Sequence, residues 1–332
     1  MAREILRVGV VGAGHLGSLH AKMLAEIPEA HLAGVFDVDH EKAQKVAASY
    51  GAPACKSIEE LVDQADAITV ATTTRSHAEV GGEVLRRGKH LFVEKPITRT
   101  VSEAANLIEL ARRNGVMIQV GHIERFNPAI LALERYTLRP MFVESHRLDQ
   151  FNPRGTDVAV VLDLMIHDID IILSFVKSPV ARIDANGVAV VSDSIDIANA
   201  RIQFENGCVA NVTASRISQK RMRKMRLFQQ NEYISIDFSE GSAEVFRLLD
   251  GDDPGTPGTL MLGELGSGKL KRKIMYEQPE VREVNSLKLE LELFIKAISE
   301  GTAPLVGGEE GRRALEVAQT IIEKISRQPL PG

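Results

Sequence analysis

The chain has 332 residues, enough for about two domains that each bury a core of their own. Its 44% hydrophobic and 26% charged residues are those of a soluble globular protein, and a net charge of −5 gives no ground for a nucleic-acid binder. Only Cys55 and Cys208 are present, which excludes a disulfide framework and a cysteine metal site. No apolar run reaches the roughly 18 residues of a membrane span. Met1-Ala2-Arg3-Glu4 leads straight into a strand, so no signal peptide is expected. The expectation is a cytoplasmic protein with no membrane partner, no nucleic-acid partner and no metal.

Residues 5–11 form a short apolar run that predicts a buried strand. The run breaks into Gly12-x-Gly14-x-x-Gly17, and a helical pattern follows over 18–27, stopped by Pro28. Strand, glycine turn and helix in succession is the context in which this spacing predicts a dinucleotide site. Gly12 permits a tight turn, Gly14 lets a pyrophosphate approach the backbone, and Gly17 allows close helix–strand packing. His15 and Leu16 lie in the same turn, and the free N–H groups of the new helix would hold phosphates. A second run, 31–36, ends at Asp37, 20 residues after Gly17, where an acid meets the adenosine ribose hydroxyls. Asp37-Val38-Asp39 offers carboxylates and no arginine or serine pocket for a 2′-phosphate, so like-charge repulsion favours NAD over NADP.

The alternation continues. Residues 41–50 and 58–64 are helical, the second capped by Ser57 with Glu60 at the capping-box position. Residues 67–71 predict a buried strand, followed by small polar residues, Thr72 to Ser76, where ligands of open α/β sheets bind. Helix 78–87, strand 90–93, helix 102–114 ending at Gly115, and strand 116–120 complete the half. Such βαβα order predicts a parallel sheet covered by helices on both faces. After Gly121-His122 the rhythm changes. A connector over 123–128 precedes a short helix, and period-2 segments then dominate at 142–149, 181–191, 198–204, 209–217, 226–228, 233–238 and 243–248. Asn206-Gly207 is a hairpin signal, and this half is expected to be antiparallel. One helix, 158–176, interrupts it. Residues 251–268, rich in Gly, Pro and Asp, predict a mobile loop, and helices 287–299 and 309–325 flank the turn Gly301-Thr302-Ala303-Pro304.

Several side chains could carry chemistry. A lysine at a strand's carboxyl end, as Lys95 is, is commonly a solvated charge; beside a nucleotide site it can stabilise negative charge on a substrate oxygen. Pro96 keeps Lys95 out of helical geometry. Asp163 and His167, four apart on one helix, share a face, as does Asp170 three further on. They are either a partly buried polar stripe or a site. Their neighbours Leu162, Leu164, Met165, Ile166 and Ile169 bury the helix, so its polar groups need partners or a ligand, and a histidine can accept a hydroxyl proton near neutral pH. His122 ends a sheet strand on the cofactor side. Alternation puts His146 with Leu148 and Arg147 with Asp149, without saying which pair points inward. The basic run 220–226 has no interleaved aromatics and reads as a solvated face, with a substrate diphosphate as the other reading.

Together, Gly12-x-Gly14-x-x-Gly17-x-x-His20, Glu94-Lys95-Pro96 and Asp163-x-x-x-His167-x-x-Asp170 resemble the Gfo/Idh/MocA oxidoreductases over nearly the whole chain. The resemblance implies an α/β protein in two parts. A Rossmann doubly wound parallel sheet (1–122) binds NAD. A C-terminal α+β domain (123–286) with a large open, mostly antiparallel sheet binds substrate and makes a homodimer or homotetramer. Helices from about 287–326 would return to the first domain. Lys95 and His167 align with the family's catalytic lysine and histidine and Asp163 with a substrate-binding acid; Thr72, His77 and Glu94 would lie along the cofactor. The stretch from Gly121 to Pro128 is similar to the subset acting on nucleotide-linked amino sugars, with Arg125 and Asn127 as candidate substrate contacts. The implied activity is NAD-dependent oxidation of a sugar hydroxyl, at C3 of UDP-N-acetylglucosamine. The alternatives are a dehydrogenase of inositol or another free sugar, an NAD-dependent glycosidase, or a non-catalytic NAD or sugar sensor, for which Lys95 and His167 together have no use.

Overall fold

Residues 5–152, 158–250, 253, 258–266 and 271–327 are described by the structure, a computed structural model. Residues 1–4 and part of the 251–268 segment (251, 252, 254–257, 267 and 268) lie outside them. The chain runs β1 (Leu6–Val11), α1 (His15–Glu26), β2 (Ala30–Phe36), α2 (His40–Ser49), α3 (Ile58–Gln64), β3 (Ala67–Val70), α4 (Thr74–Arg86), β4 (His90–Glu94), α5 (Val101–Asn114) and β5 (Ile118–Gly121). A 3-10 turn, Ile123–Phe126, leads into α6 (Pro128–Leu131) and β6 (Phe142–Leu148). A π-helical turn, Val161–Met165, continues as α7 (Ile166–Val176). There follow β7 (Val180–Val188), β8 (Ile197–Phe204), β9 (Val209–Ser215), β10 (Met222–Gln229), β11 (Glu232–Asp237), β12 (Ser242–Asp250), β13 (Leu260–Leu265) and β14 (Arg272–Glu277). Two helices, α8 (Ser286–Glu300) and α9 (Gly308–Ser326), close the chain. Contacts divide it into two units, Met1–Ile123 with Asn285–Glu316, and Glu124–Val284 with Val317–Gly332.

In the first unit β1 to β5 form one parallel sheet ordered β2-β1-β3-β4-β5. Strands covered on both faces have no solvent side, which is why Ala67 to Val70 are all buried and read as an unbroken apolar run. The strand order reverses between β1 and β3, and the crevice outside their carboxyl ends is where an open α/β sheet takes ligands. Leu287, Leu291, Phe294 and Ile295 of α8 join Val8, Val10, Ala21, Leu24 and Phe92 in one core, with the Phe92 and Phe294 rings edge-to-face at 5.7 Å. Each large apolar side chain buried there contributes about 1.5–3 kcal/mol relative to exposure. The Gln119 side-chain amide donates to the Glu290 carbonyl at 3.1 Å, and Val120 N–H donates to the Val306 carbonyl at 2.9 Å.

The second unit is a nine-stranded sheet ordered β13-β14-β12-β11-β10-β6-β9-β8-β7. It is mostly antiparallel, but β6 and β9 pair in parallel, because α7 and the β7–β8 hairpin intervene between them. Asn206-Gly207 makes the expected turn between β8 and β9, with Gly207 at φ 86. Three expectations change. Strand β10 is longer than the segment expected at 226–228 and takes in most of the basic run. Strand β13 falls within the segment read as a loop, and β14 follows it. The helix expected over 158–176 is not uniform, since its first part is the π turn.

Helix starts follow local chemistry. Ser57 accepts from Glu60 N–H at 3.2 Å, but the Glu60 carboxylate reaches Lys56 N–H at 2.6 Å and not Ser57, so the expected box is opened by one residue. The complete box is at α5, where Thr100 accepts from Glu103 N–H at 3.2 Å and Glu103 accepts from Thr100 N–H at 3.0 Å. Thr100→Ala removes the hydroxyl side of that box and should destabilise the protein by about 1 kcal/mol, read as a lower urea midpoint. An unchanged midpoint would mean that tertiary packing alone holds this helix end.

Candidate active site

Gly12 follows β1 with φ +100, and its N–H donates to the Phe36 carbonyl at 2.8 Å. A methyl group there would lie 2.6 Å from the Ala71 carbonyl oxygen, and one at Gly17 would lie 1.7 Å from the Gly12 oxygen. Only glycine lets α1 start this close to the strand. Gly14, the N-terminal cap residue, has nothing within 4 Å of where a Cβ would stand, and Gly14, His15 and Leu16 are exposed. Helix α1 has no side-chain cap and no acid in its first turn, whereas α2, α3, α5 and α8 are capped by Asp39, Ser57, Thr100 and Asn285. An open, uncapped helix end beside a glycine cradle fits the pyrophosphate of a dinucleotide.

Asp37, just past β2, closes this loop. Its carboxylate accepts from Ala13 N–H at 2.6 Å and from Asp39 N–H at 2.9 Å, leaving lone pairs for ribose hydroxyls. Asp39 caps α2 and forms a close ion pair with Lys42 at 2.9 Å, whereas the Asp37 carboxylate is held by main-chain N–H groups. Between them Val38 is 96% exposed, an apolar side chain held out beside the ribose position.

The Glu94-Lys95-Pro96 turn at the end of β4 is held on both sides by buried histidines. His20 of α1 lies with Nε2 2.9 Å from Glu94 Oε1 and its ring edge-on to Phe92; the other Glu94 oxygen accepts from Lys95 N–H at 3.3 Å. The Glu94 carboxylate, expected along the cofactor, is thus turned inward against Gly121. His77, also expected along the cofactor, is 1% exposed, with Nδ1 2.9 Å from the Pro96 carbonyl and Nε2 3.3 Å from that of Thr72. Burial lowers its pKa and keeps the ring neutral. One nitrogen then carries the proton, and the shorter contact assigns it to Nδ1. Lys95–Pro96 is a cis peptide bond. Thr72, whose hydroxyl accepts from Ser76 at 2.8 Å, follows β3, and buried His122 follows β5; both stand at the carboxyl edge of the sheet.

Asp163 sits in the π turn and His167 on α7, both half-buried. The π turn alters the rotation between them from that of a regular helix. Asp170 does not share in that pair: it takes the Arg125 guanidinium, with Nε to Oδ2 at 2.5 Å and Nη2 to Oδ1 at 2.9 Å. Asn127, expected with Arg125 at the substrate, caps α6 through Ala129 N–H at 3.0 Å and donates to Glu124 and to the Phe238 carbonyl, each at 3.1 Å. Both side chains are therefore committed within the fold.

Strand β6 resolves which of its pairs turns inward. Val143, Ser145 and Arg147 are buried while His146 and Leu148 are half-exposed. Arg147 Nη1 donates to Glu124 at 2.7 Å and Nη2 to Asp168 at 2.9 Å. Burial alone would weaken the guanidinium's hold on its proton; Asp168 and Glu124 reverse this and hold it above the ordinary value. Burial raises the Asp168 carboxyl, with Arg147 opposing. Neither role was legible in advance, although an acid inside the apolar run 166–173 demands a partner. The basic run is answered by acids: Arg221 and Arg223 meet Asp149, Lys224 meets Asp237, and Arg226 meets Glu144. That favours the solvated-face reading. Among the described residues no cluster of His, Cys, Asp or Glu could hold a metal ion, and no helix is long and apolar enough to cross a membrane.

Gly14→Ala should leave folding intact, because its methyl enters open space, yet weaken NADH binding by about tenfold or more by standing where the pyrophosphate approaches. Isothermal titration beside a thermal melt checks both. Undiminished binding would move the dinucleotide away from this turn.

Residues 6–122 match the model of the oxidoreductase family with an NAD-binding Rossmann fold, and residues 136–244 that of the GFO/IDH/MocA C-terminal domain. The chain is 36% identical over 314 residues to UDP-N-acetylglucosamine 3-dehydrogenase of Acidithiobacillus ferrooxidans, covering 94% of this chain and 95% of that one. A solved structure of that enzyme superposes with a TM-score of 0.87 at 35% identity, over 96% and 97% of the two chains. Myo-inositol 2-dehydrogenase of Thermotoga maritima is 25% identical over 93% of each chain. The chain belongs to the Gfo/Idh/MocA oxidoreductases, and it is a dehydrogenase whose first unit is an NAD-binding Rossmann domain.

Proposed function

We propose that this dehydrogenase uses NAD to oxidise a ring hydroxyl of a nucleotide-linked sugar, C3 of UDP-N-acetylglucosamine, to the 3-keto sugar. The observation that carries the substrate is the 36% identity, over 94% of the chain, to a relative of that activity. The preference for NAD rests on Asp37, whose carboxylate suits ribose hydroxyls and repels a 2′-phosphate. The turn from Gly12 to Gly17, with the uncapped start of α1, holds the pyrophosphate, and Thr72 and His122 line the sheet's carboxyl edge beside it. When bound, NAD supplies the two-electron acceptor for the C3 hydride.

The remaining work belongs to three side chains. His167 takes the C3 hydroxyl proton on an imidazole nitrogen as the carbonyl forms. The Lys95 ammonium donates a hydrogen bond to that oxygen while it carries negative charge, and so lowers the barrier. The Lys95 main chain is fixed on both sides by the Glu94–His20 and Pro96–His77 contacts, which leaves the position of the ammonium to the side-chain torsions. Asp163, at half-buried depth on the π turn, accepts from a sugar hydroxyl or orients the imidazole. A free polyol such as inositol would use the same three residues, and the Thermotoga maritima relative supports that second reading. The oligomer that uses the nine-stranded sheet belongs to the same proposal.

Purified protein with NAD should produce NADH with UDP-N-acetylglucosamine and not with UDP-glucose, myo-inositol or glucose. A sugar aminotransferase and its amino donor are added to draw off the keto product. Turnover with inositol or glucose alone would keep the chemistry and discard the nucleotide sugar. His167→Ala should lower kcat by about 10²-fold or more while leaving NADH affinity unchanged; near-normal turnover removes His167 from the mechanism.

A further inference from the structure

Helix α7 is gripped at two neighbouring positions by two arginines, Arg147 buried and Arg125 partly so. Asp168 and Asp170 are two residues apart, so they project about 200° apart around the helix axis. Asp170 holds the Arg125 fork, whose Nη2 also lies 3.2 Å from the Asp170 carbonyl. Asp168 holds Arg147, with Nε 3.2 and 3.1 Å from the two carboxylate oxygens and Nη2 2.9 Å from Oδ1. Arg147 is backed by Glu124 and lies 5.4 Å over the Phe238 ring. Glu124 and Arg125 are consecutive in the 3-10 turn, so one short element reaches both clamps, and Asn127 braces that element through Glu124 and Phe238. The side chains of Arg147, Asp168 and Asp170 are no more than 2% exposed.

Ion pairs this deep are weak ground for stability, because a packed apolar set of the same volume does as well or better. What two forked pairs add is orientation. One pair would leave the helix able to roll about its contact, whereas two pairs about 200° apart fix its roll and its axial position together. The need is local. His167 is the residue before Asp168, and the π turn ending at Met165 lies directly ahead of it, a geometry that sequence propensity does not favour. The other end of that turn is tied down by Val160 N–H on the Ile195 carbonyl at 2.9 Å and by Arg216 on the Val158 carbonyl.

We propose that Arg125 and Arg147 are positioning residues for His167. By setting the roll of α7 they present the imidazole in one orientation, and the Glu124–Asn127 stretch acts on the sugar through this helix and not by touching it. The inference rests on the reading of His167 as the proton acceptor.

The test compares R125K, which keeps the charge and loses the fork, and the isosteric D170N with wild type and H167N. It measures kcat, KM for UDP-N-acetylglucosamine, the isotope effect with C3-deuterated sugar, and NADH affinity. It also records the His167 imidazole NMR signal of the NAD-bound protein, assigned by its loss in H167N. The expected result is a kcat lowered by about 10²-fold with a larger isotope effect, KM and NADH affinity within about twofold, and a displaced His167 signal. Unchanged kcat with an unmoved His167 signal, beside an inactive H167N, overturns the positioning role alone. Normal turnover by H167N overturns the catalytic reading on which it rests, and the positioning role with it. Failure of both R125K and D170N to fold would make the pairs structural and also overturn it.

Discussion

One close approach governs the nucleotide half: the α-carbon of Gly17 lies against the carbonyl of Gly12, so near that a methyl group would stand 1.7 Å from the oxygen. Glycine is a poor helix residue, costing about 0.5–1 kcal/mol relative to alanine, and here the contact it permits offsets that loss. Helix α1 can begin as β1 ends, its unsatisfied N–H groups open into the crevice at the β1/β3 switch point, and Ala21 and Leu24 reach the core shared with α8. A dinucleotide cradle and a helix–strand packing solution are thus the same feature. Neither can be altered without the other.

Beyond that cradle, a set of buried polar groups holds the backbone on which the candidate residues stand. In the first unit His20 of α1 grips the Glu94 carboxylate and His77 of α4 the Pro96 carbonyl, on either side of Lys95, and both helices start at the sheet's carboxyl edge. In the second unit Arg125 and Arg147 grip α7 beside His167. Buried polar groups left unpaired would cost several kcal/mol on hydrocarbon-transfer scales, so each set is stable only when every member is in place. That makes the backbone around the lysine and the helix around the histidine stiff, whereas the side chains themselves remain half-buried and able to meet a ligand.

The cradle was legible because its chemistry is local: a run, a turn and a helix within 5–27, then Asp37 at a fixed distance. The strands of the second unit up to β12 were legible from their period of two, whereas β13 and β14 were not. Features that depend on distant partners were not. Nothing near Arg125 in the chain announces Asp170, and nothing near Arg147 announces Asp168, so both arginines looked free for a ligand or for solvent. The π turn at Val161–Met165 carries no helix-breaking residue and is imposed by its surroundings. The run 220–226 was legible as a solvated face because charge is visible in a sequence, but the cross-strand acids Glu144 and Asp237 that answer it were not. His77 and Glu94, expected along the cofactor, also have partners within the fold, and proximity to a site in sequence does not distinguish lining it from supporting it.

That distinction bears on how a nucleotide sugar is told from a free polyol. In the stretch from Gly121 to Pro128, expected from the sequence to mark enzymes acting on nucleotide-linked amino sugars, the polar side chains of 124–127 face their own fold: Glu124 faces Arg147, Arg125 faces Asp170, and Asn127 faces Phe238 and the start of α6. A sequence signature of substrate class need not be a contact with substrate. It can mark a helix setting that goes with one substrate shape, while the groups that touch the nucleotide lie elsewhere. Exposed ion pairs such as Arg223–Asp149, at 3.4 Å, contribute only about 0–1 kcal/mol. A diphosphate can therefore displace the carboxylate from such a cation at little cost, whereas it cannot displace Asp168 from Arg147. The buried pairs are thus committed to setting the helix that carries His167, and direct contact with a ligand falls to groups nearer the surface.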